Sequence, residues 1–179
     1  MTALDGGVGP ARGAVGRANP QAEEIMSDAQ VSNAQANETT LRLERLIPWS
    51  PEVLFALWTE PAQLLRWWAP EGYEPSVHSL DTRPGGGWRI TLRRPDGGVI
   101  AMSGVYRVVE PPRRLAFTWA WEDENGARGH ETDVTVSFEA TPGGSRLMLL
   151  QQHFESKHAR DNHNVGWSSC FDRLTKIVA

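Results

Sequence analysis

Five stretches of this chain, residues 88–94, 99–109, 115–121, 132–141 and 146–154, either alternate apolar with polar or run apolar, and the segments between them leave little choice in how they are joined. The connections are Asp96-Gly97-Gly98, Pro111-Pro112-Arg113-Arg114, a loop centred on Asn125-Gly126, and Pro142-Gly143-Gly144. Gly and Asn supply the positive φ that tight hairpin turns require. A parallel crossover needs a dozen or more residues, and none of these connections is that long. The five stretches are therefore predicted to form an antiparallel meander.

The third stretch is the most regular. Leu115, Phe117, Trp119 and Trp121 alternate with Ala116, Thr118 and Ala120, so one strand brings three aromatic rings to a single surface. Burying these four side chains would contribute on the order of 1.5 to 3 kcal/mol each, as an upper bound. That sum rivals the net stability of a typical domain, about 5 to 15 kcal/mol. Core packing alone thus accounts for the stripe. The chain carries eight tryptophans, however, and that surplus raises the alternative that part of the stripe walls a binding cavity.

Around the meander the other elements follow. Residues 41–47 read as a strand closed by Pro48, which cannot continue a ladder. Ser50-Pro51 is a helix start, with a capping hydroxyl and a proline at the first helical position, and Val53, Leu54, Leu57 and Trp58 form its apolar face. Thr59-Glu60-Pro61 begins a second short helix through Trp67 and Trp68, ended by Pro70. Residues 77–83 read as a further strand. The last segment, residues 160–178, repeats Trp167, Cys170, Phe171, Leu174, Ile177 and Val178 at helical spacing, with Arg173 and Lys176 on the opposite side. The sheet has an apolar face to cover, and this helix is the long amphipathic element able to cover it. The expected class is α+β: a curved antiparallel sheet of six to seven strands wrapped round a C-terminal helix, with two short helices after strand one.

Composition narrows the partners. A length of 179 residues suits one domain. A net charge of -4, from 18 basic and 22 acidic residues, gives no field for a nucleic-acid backbone. Cys170 is the single cysteine, which excludes an internal disulfide and a cysteine-only zinc site. The N-terminus lacks the basic and apolar pattern of a signal peptide, and no apolar run nears the roughly 18 to 20 residues that span a bilayer. The expectation is a cytoplasmic protein with a disordered tail over residues 1–38 and one domain over residues 39–179. Met26 is expected to be the true translation start.

Several motifs together resemble one family. Residues 48–68 resemble the opening of the START-like (SRPBCC) superfamily, and in particular of the subfamily named after the C-terminal domain of the Hsp90 ATPase activator. Arg83-Pro84-Gly85-Gly86-Gly87-Trp88, Gly104-Val105-Tyr106, the run from Glu110-Pro111-Pro112 to Thr118-Trp119, and Gly166-Trp167 with Asp172-Arg173-Leu174 match its further motifs in order. The resemblance covers the chain from about Thr40 to its end. It implies a helix-grip fold with a cavity between sheet and helix. Glu60 stands where the family usually has an aspartate cap, and Gln151 where many relatives carry a histidine, which weakens transfer of a histidine-based role.

On this frame Trp67, Trp68, Trp88, Tyr106, Trp119, Trp121 and Trp167 are expected to line the cavity, with Trp119 and Trp121 in contact with ligand and Leu115 and Phe117 in the core. Gln151 and His153 are placed on the strand face shared with Leu147 and Leu149 and are expected to turn inward, bonded either to ligand or to backbone and water. His153, His158 and His163 recur every five residues, a step of about 140° on a helix, so they do not converge on a metal. Cys170 lies on the buried stripe, and no Gly-x-Ser-x-Gly elbow exists. No metal and no cofactor is expected. The leading expectation is binding of a small hydrophobic ligand of lipid, acyl or polyketide-like character. The alternatives are a chaperone-interacting protein of the Hsp90-activator kind, and a cyclase or dehydratase using the same cavity, with His153 or Tyr106 as its acid or base.

Overall fold

The computed structural model describes residues 38–177. The expectations for the tail and for a start at Met26 fall outside these residues, Glu38 excepted. The elements are β1 (Thr40–Ile47), α1 (Pro51–Thr59), α2 (Pro61–Leu64), β2 (Glu74–Leu80), β3 (Gly87–Arg93), β4 (Val99–Glu110), β5 (Arg114–Glu122), β6 (Thr132–Thr141), β7 (Gly144–Gln152) and α3 (Lys157–Lys176). The strands form one seven-stranded sheet in the order β1-β7-β6-β5-β4-β3-β2, with every neighbouring pair antiparallel. Strands β2 to β7 are the meander. β1 then closes the far edge on β7, with Thr40 opposite Gln152 and Ile47 opposite Ser145.

Local chemistry sets the ends of the elements. The Ser50 hydroxyl accepts from Val53 N at 3.5 Å and Pro51 opens α1. At α2 the cap position holds Glu60, whose side chain makes no capping bond, and the helix lasts one turn before Trp67 and Trp68. α3 begins at Lys157 rather than at residue 160, because the Ser156 hydroxyl accepts from Ala159 N at 3.1 Å. β2 spans Glu74–Leu80 rather than residues 77–83, because Asp81 already belongs to a turn in which it holds the Arg83 guanidinium and Gly86 N donates to Arg83 O.

That turn explains two of the motifs. Gly85 N donates to Tyr106 O at 2.8 Å and Tyr106 N to Gly86 O at 2.9 Å, so the Arg-Pro-Gly-Gly turn docks on β4. A Cβ on Gly104 would lie 1.7 Å from Thr118 O and 2.6 Å from the Trp88 indole nitrogen, a space no side chain can enter. β4 therefore passes close over β5, and the β4–β5 register shifts just beyond, between Tyr106 and Val108.

The core fills the space between the sheet, the short helices and α3. Trp58 is its hub, with ring centroids 4.6 Å from Trp67, 5.6 Å from Trp68, 5.9 Å from Trp167 and 6.3 Å from Phe171. Ring pairs at these separations add to the area they bury. Much of the tryptophan surplus is thus core.

Candidate functional site

Beyond this cluster the sheet and α3 separate and leave a cavity of about 440 Å³. Its walls come from three places: the ends of β3, β4 and β5 with Leu92, Ile100, Met102, Trp119 and Trp121; the segment after α2 from Trp68 to Tyr73; and the middle of α3 from Asn162 to Cys170. The α3 wall arises from spacing: His163, Trp167, Cys170 and Leu174 lie three or four residues apart on one face. The segment after α2 is fastened to that helix. Arg173 donates to Ala69 O at 3.0 Å and to Arg66 O at 3.4 Å, and the Ser169 hydroxyl accepts from Glu71 N at 3.3 Å. Arg173, expected to face away from the sheet, instead ties the cavity wall to the helix.

Of the seven residues expected to line the cavity and the two expected to turn inward, Trp68, Trp119, Trp121 and Trp167 line it. Trp119 is 4% exposed and Trp121 42%, with their rings edge to face at 4.3 Å. Leu115 and Phe117 are buried in the core. Trp67, Trp88 and Tyr106 are also core residues: the Trp67 indole donates to Leu57 O at 2.9 Å, Trp88 packs on Phe117, and burial pushes the Tyr106 phenol well above its ordinary pKa.

Gln151 points inward but is satisfied by protein. The Trp167 indole donates to its Oε1 at 2.8 Å, and its Nε2 donates to the Thr132 hydroxyl at 2.8 Å, which in turn donates to Trp119 O at 3.2 Å. An indole N–H can only donate, so this orientation of the amide is forced. The chain of bonds joins α3, β7, β6 and β5 beneath two of the cavity-lining tryptophans. His153 is not in the cavity. β7 ends at Gln152, and His153 takes φ 68°, which breaks the strand's alternation and turns the ring outward to Asp133 Oδ2 at 2.9 Å.

The residue that sequence reasoning missed is His163. Its ring lies 4.3 Å from Trp119, 4.9 Å from Phe154 and 5.7 Å from Trp121. Burial among these rings lowers its pKa to about 4, so the imidazole is neutral at pH 7. Taking the histidines as a five-residue series hid it; the helical step to Trp167 and Cys170 was the signal that placed it on the cavity face. Burial pushes the Cys170 thiol up to about 12, which leaves it protonated and not nucleophilic. Among the described residues no three His, Cys, Asp or Glu side chains gather as a metal site, and no helix is long and apolar enough to cross a membrane.

The family described as Activator of Hsp90 ATPase homolog 1-like protein matches residues 48–179. The chain belongs to this family. Solved structures show the same START-like architecture for this Hsp90-activator-like domain. An AHSA1 protein from Silicibacter pomeroyi is 34% identical, with a TM-score of 0.71 over 78% of this chain and 96% of that one. A protein from Rhodobacter sphaeroides is 25% identical, with a TM-score of 0.68 over 79% and 93%. A protein from Chromobacterium violaceum, at 24% identity and a TM-score of 0.72 over 78% and 96%, shares the fold. A comparison with curated proteins finds no match.

Proposed function

We propose that this domain binds a small hydrophobic ligand in the cavity between the sheet and α3. The observation that carries the reading is the cavity itself: about 440 Å³, walled by four tryptophans, Leu92, Ile100 and Met102. That volume falls within the range of about 300 to 1,000 Å³ typical of small-molecule pockets. A second observation supports it. Gly166 sits mid-helix on the cavity wall, and a Cβ added there meets nothing within 4 Å. A glycine in a helix interior costs about 0.8 to 1 kcal/mol relative to alanine. No neighbour requires the glycine, so its effect is to leave cavity volume open at the expense of helix stability.

The test is titration of the intrinsic tryptophan fluorescence with a panel of uncharged hydrophobic compounds, alongside native mass spectrometry for a co-purified adduct. Wild type is expected to show saturable quenching. Gly166→Leu, which fills the cavity, is expected to abolish it while the urea midpoint holds or rises. No saturation by any compound and no adduct, or undiminished binding in Gly166→Leu, would remove the reading. The family's description supports a second reading, stimulation of a chaperone ATPase. An ATPase assay with purified Hsp90 separates the two, since cavity filling at Gly166 would leave stimulation unchanged.

A further inference from the structure

The cavity wall is chemically uneven. Glu71 is the one charged residue in it, exposed at the rim, and no Lys or Arg contributes. A carboxylate entering would leave water without meeting a cation. The wall offers more donors than acceptors. The indole N–H groups of Trp68, Trp119 and Trp121 can only donate. The Asn162 Nδ2 lies 3.1 Å from the His158 imidazole, leaving its Oδ1 as an acceptor at the exposed edge of the helix, and the Ser169 hydroxyl accepts from Glu71 N with its proton left to donate. Tyr73, on the turn that closes the segment after α2, adds a half-buried phenol that can donate as well as accept.

His163 is different. Neither ring nitrogen makes a hydrogen bond among the described residues, and three aromatic rings fix the plane of the imidazole. In the neutral ring one nitrogen is a bare acceptor, which no indole on the wall can replace.

We propose that His163 sets the specificity of the cavity: its unprotonated nitrogen accepts a hydrogen bond from the hydroxyl of an uncharged, otherwise apolar ring compound, and the wall around it disfavours carboxylates. The inference rests on the binding reading above and sharpens it, since it removes free fatty acids and other acyl carboxylates from the expected ligands.

Three probes of one ring size test it: naphthalene, 2-naphthol and 2-naphthoate, titrated at pH 7 and followed by amide and imidazole chemical shifts of the labelled full-length chain. Wild type is expected to bind 2-naphthol about 3- to 10-fold more tightly than naphthalene, the range that one net hydrogen bond supplies. It is expected to bind 2-naphthoate more weakly than either. In His163→Phe, which keeps the ring volume, naphthol and naphthalene are expected to bind equally. In wild type the imidazole nitrogen shifts of His163 should move with 2-naphthol beyond the ring-current shift that naphthalene produces, a readout that survives if the variant fails to fold. Equal binding of naphthol and naphthalene by wild type, a naphthol preference retained in His163→Phe, or naphthoate binding as tight as naphthol would each overturn the role of His163 while leaving hydrophobic binding standing. If neither naphthalene nor naphthol saturates, the binding reading falls and this inference with it.

Discussion

Trp119 and Trp121 occupy alternate positions of one strand and share one cavity, yet their surroundings give them different work. Trp119 is buried between Trp121 and His163, so its removal leaves a hole as well as an altered wall. Trp119→Ala is expected to cost about 3 to 5 kcal/mol of stability, as large aromatic truncations in cores do. Trp121 is 42% exposed, and Trp121→Ala is expected to cost under about 1 kcal/mol while weakening ligand binding severalfold. Denaturant unfolding paired with a binding titration on each variant checks this, and equal stability losses would return Trp121 to the core. Alternation on β5 made it legible that both rings face inward. It could not show how deep each lies, because depth depends on what covers the strand, and at Trp119 that cover is His163 from a helix more than 40 positions along the chain. His153 failed for a local reason: one residue at positive φ ends the alternation on which its assignment rested.

Elements meet through a few polar joints whose partners are distant in sequence. Gln151 links β7 to α3 through the Trp167 indole and to β6 through Thr132. Its inward face was readable from β7, but its partners were not, since nothing in a single strand specifies which indole arrives above it. Gln151→Met keeps the bulk and removes both bonds, leaving the buried Trp167 N–H without a partner while the Thr132 hydroxyl still donates to Trp119 O. An orphaned buried donor costs about 1 to 3 kcal/mol. The variant is expected to lose stability in that range and to shift tryptophan emission, measured by urea unfolding and fluorescence at pH 7; an unchanged midpoint would show that the joint is dispensable. Arg173 is the complementary case. Helical periodicity assigned it to the face away from the sheet, but a guanidinium on a flexible stem reaches the carbonyls of Arg66 and Ala69 around the side of the helix.

At the scale of the whole molecule, short Gly- and Pro-bearing connections fixed an antiparallel meander, and one amphipathic helix was left to cover it; both are local signals, which is why the architecture was readable. The cavity was less so, because a void is defined by surfaces from three separate segments. One titratable group on its wall nevertheless acts on global stability. His163 has a pKa of about 4 in the folded protein against an ordinary value near 6.5. Above about pH 6.5 neither folded nor unfolded chain holds the extra proton, and below about 4 both do. Between these limits the unfolded chain binds the proton and the folded chain does not, so stability falls as pH falls across that window. The loss attributable to this residue is on the order of 2 to 3 kcal/mol. The lowered pKa values of Asp81 and Asp161, set first by hydrogen bonds from Arg83 and from Arg160, act in the same direction but below the ordinary carboxylate range. Urea midpoints of wild type and His163→Phe at pH 7.0, 5.5 and 4.5 separate the contributions, since the variant keeps the carboxylates and lacks the imidazole. The gap in stability between the two proteins should shift in the variant's favour as pH drops from about 6.5 to 4.5. A gap that stays constant would mean that His163 takes its proton as readily in the fold as outside it, and that the aromatic walls do not seal it from water.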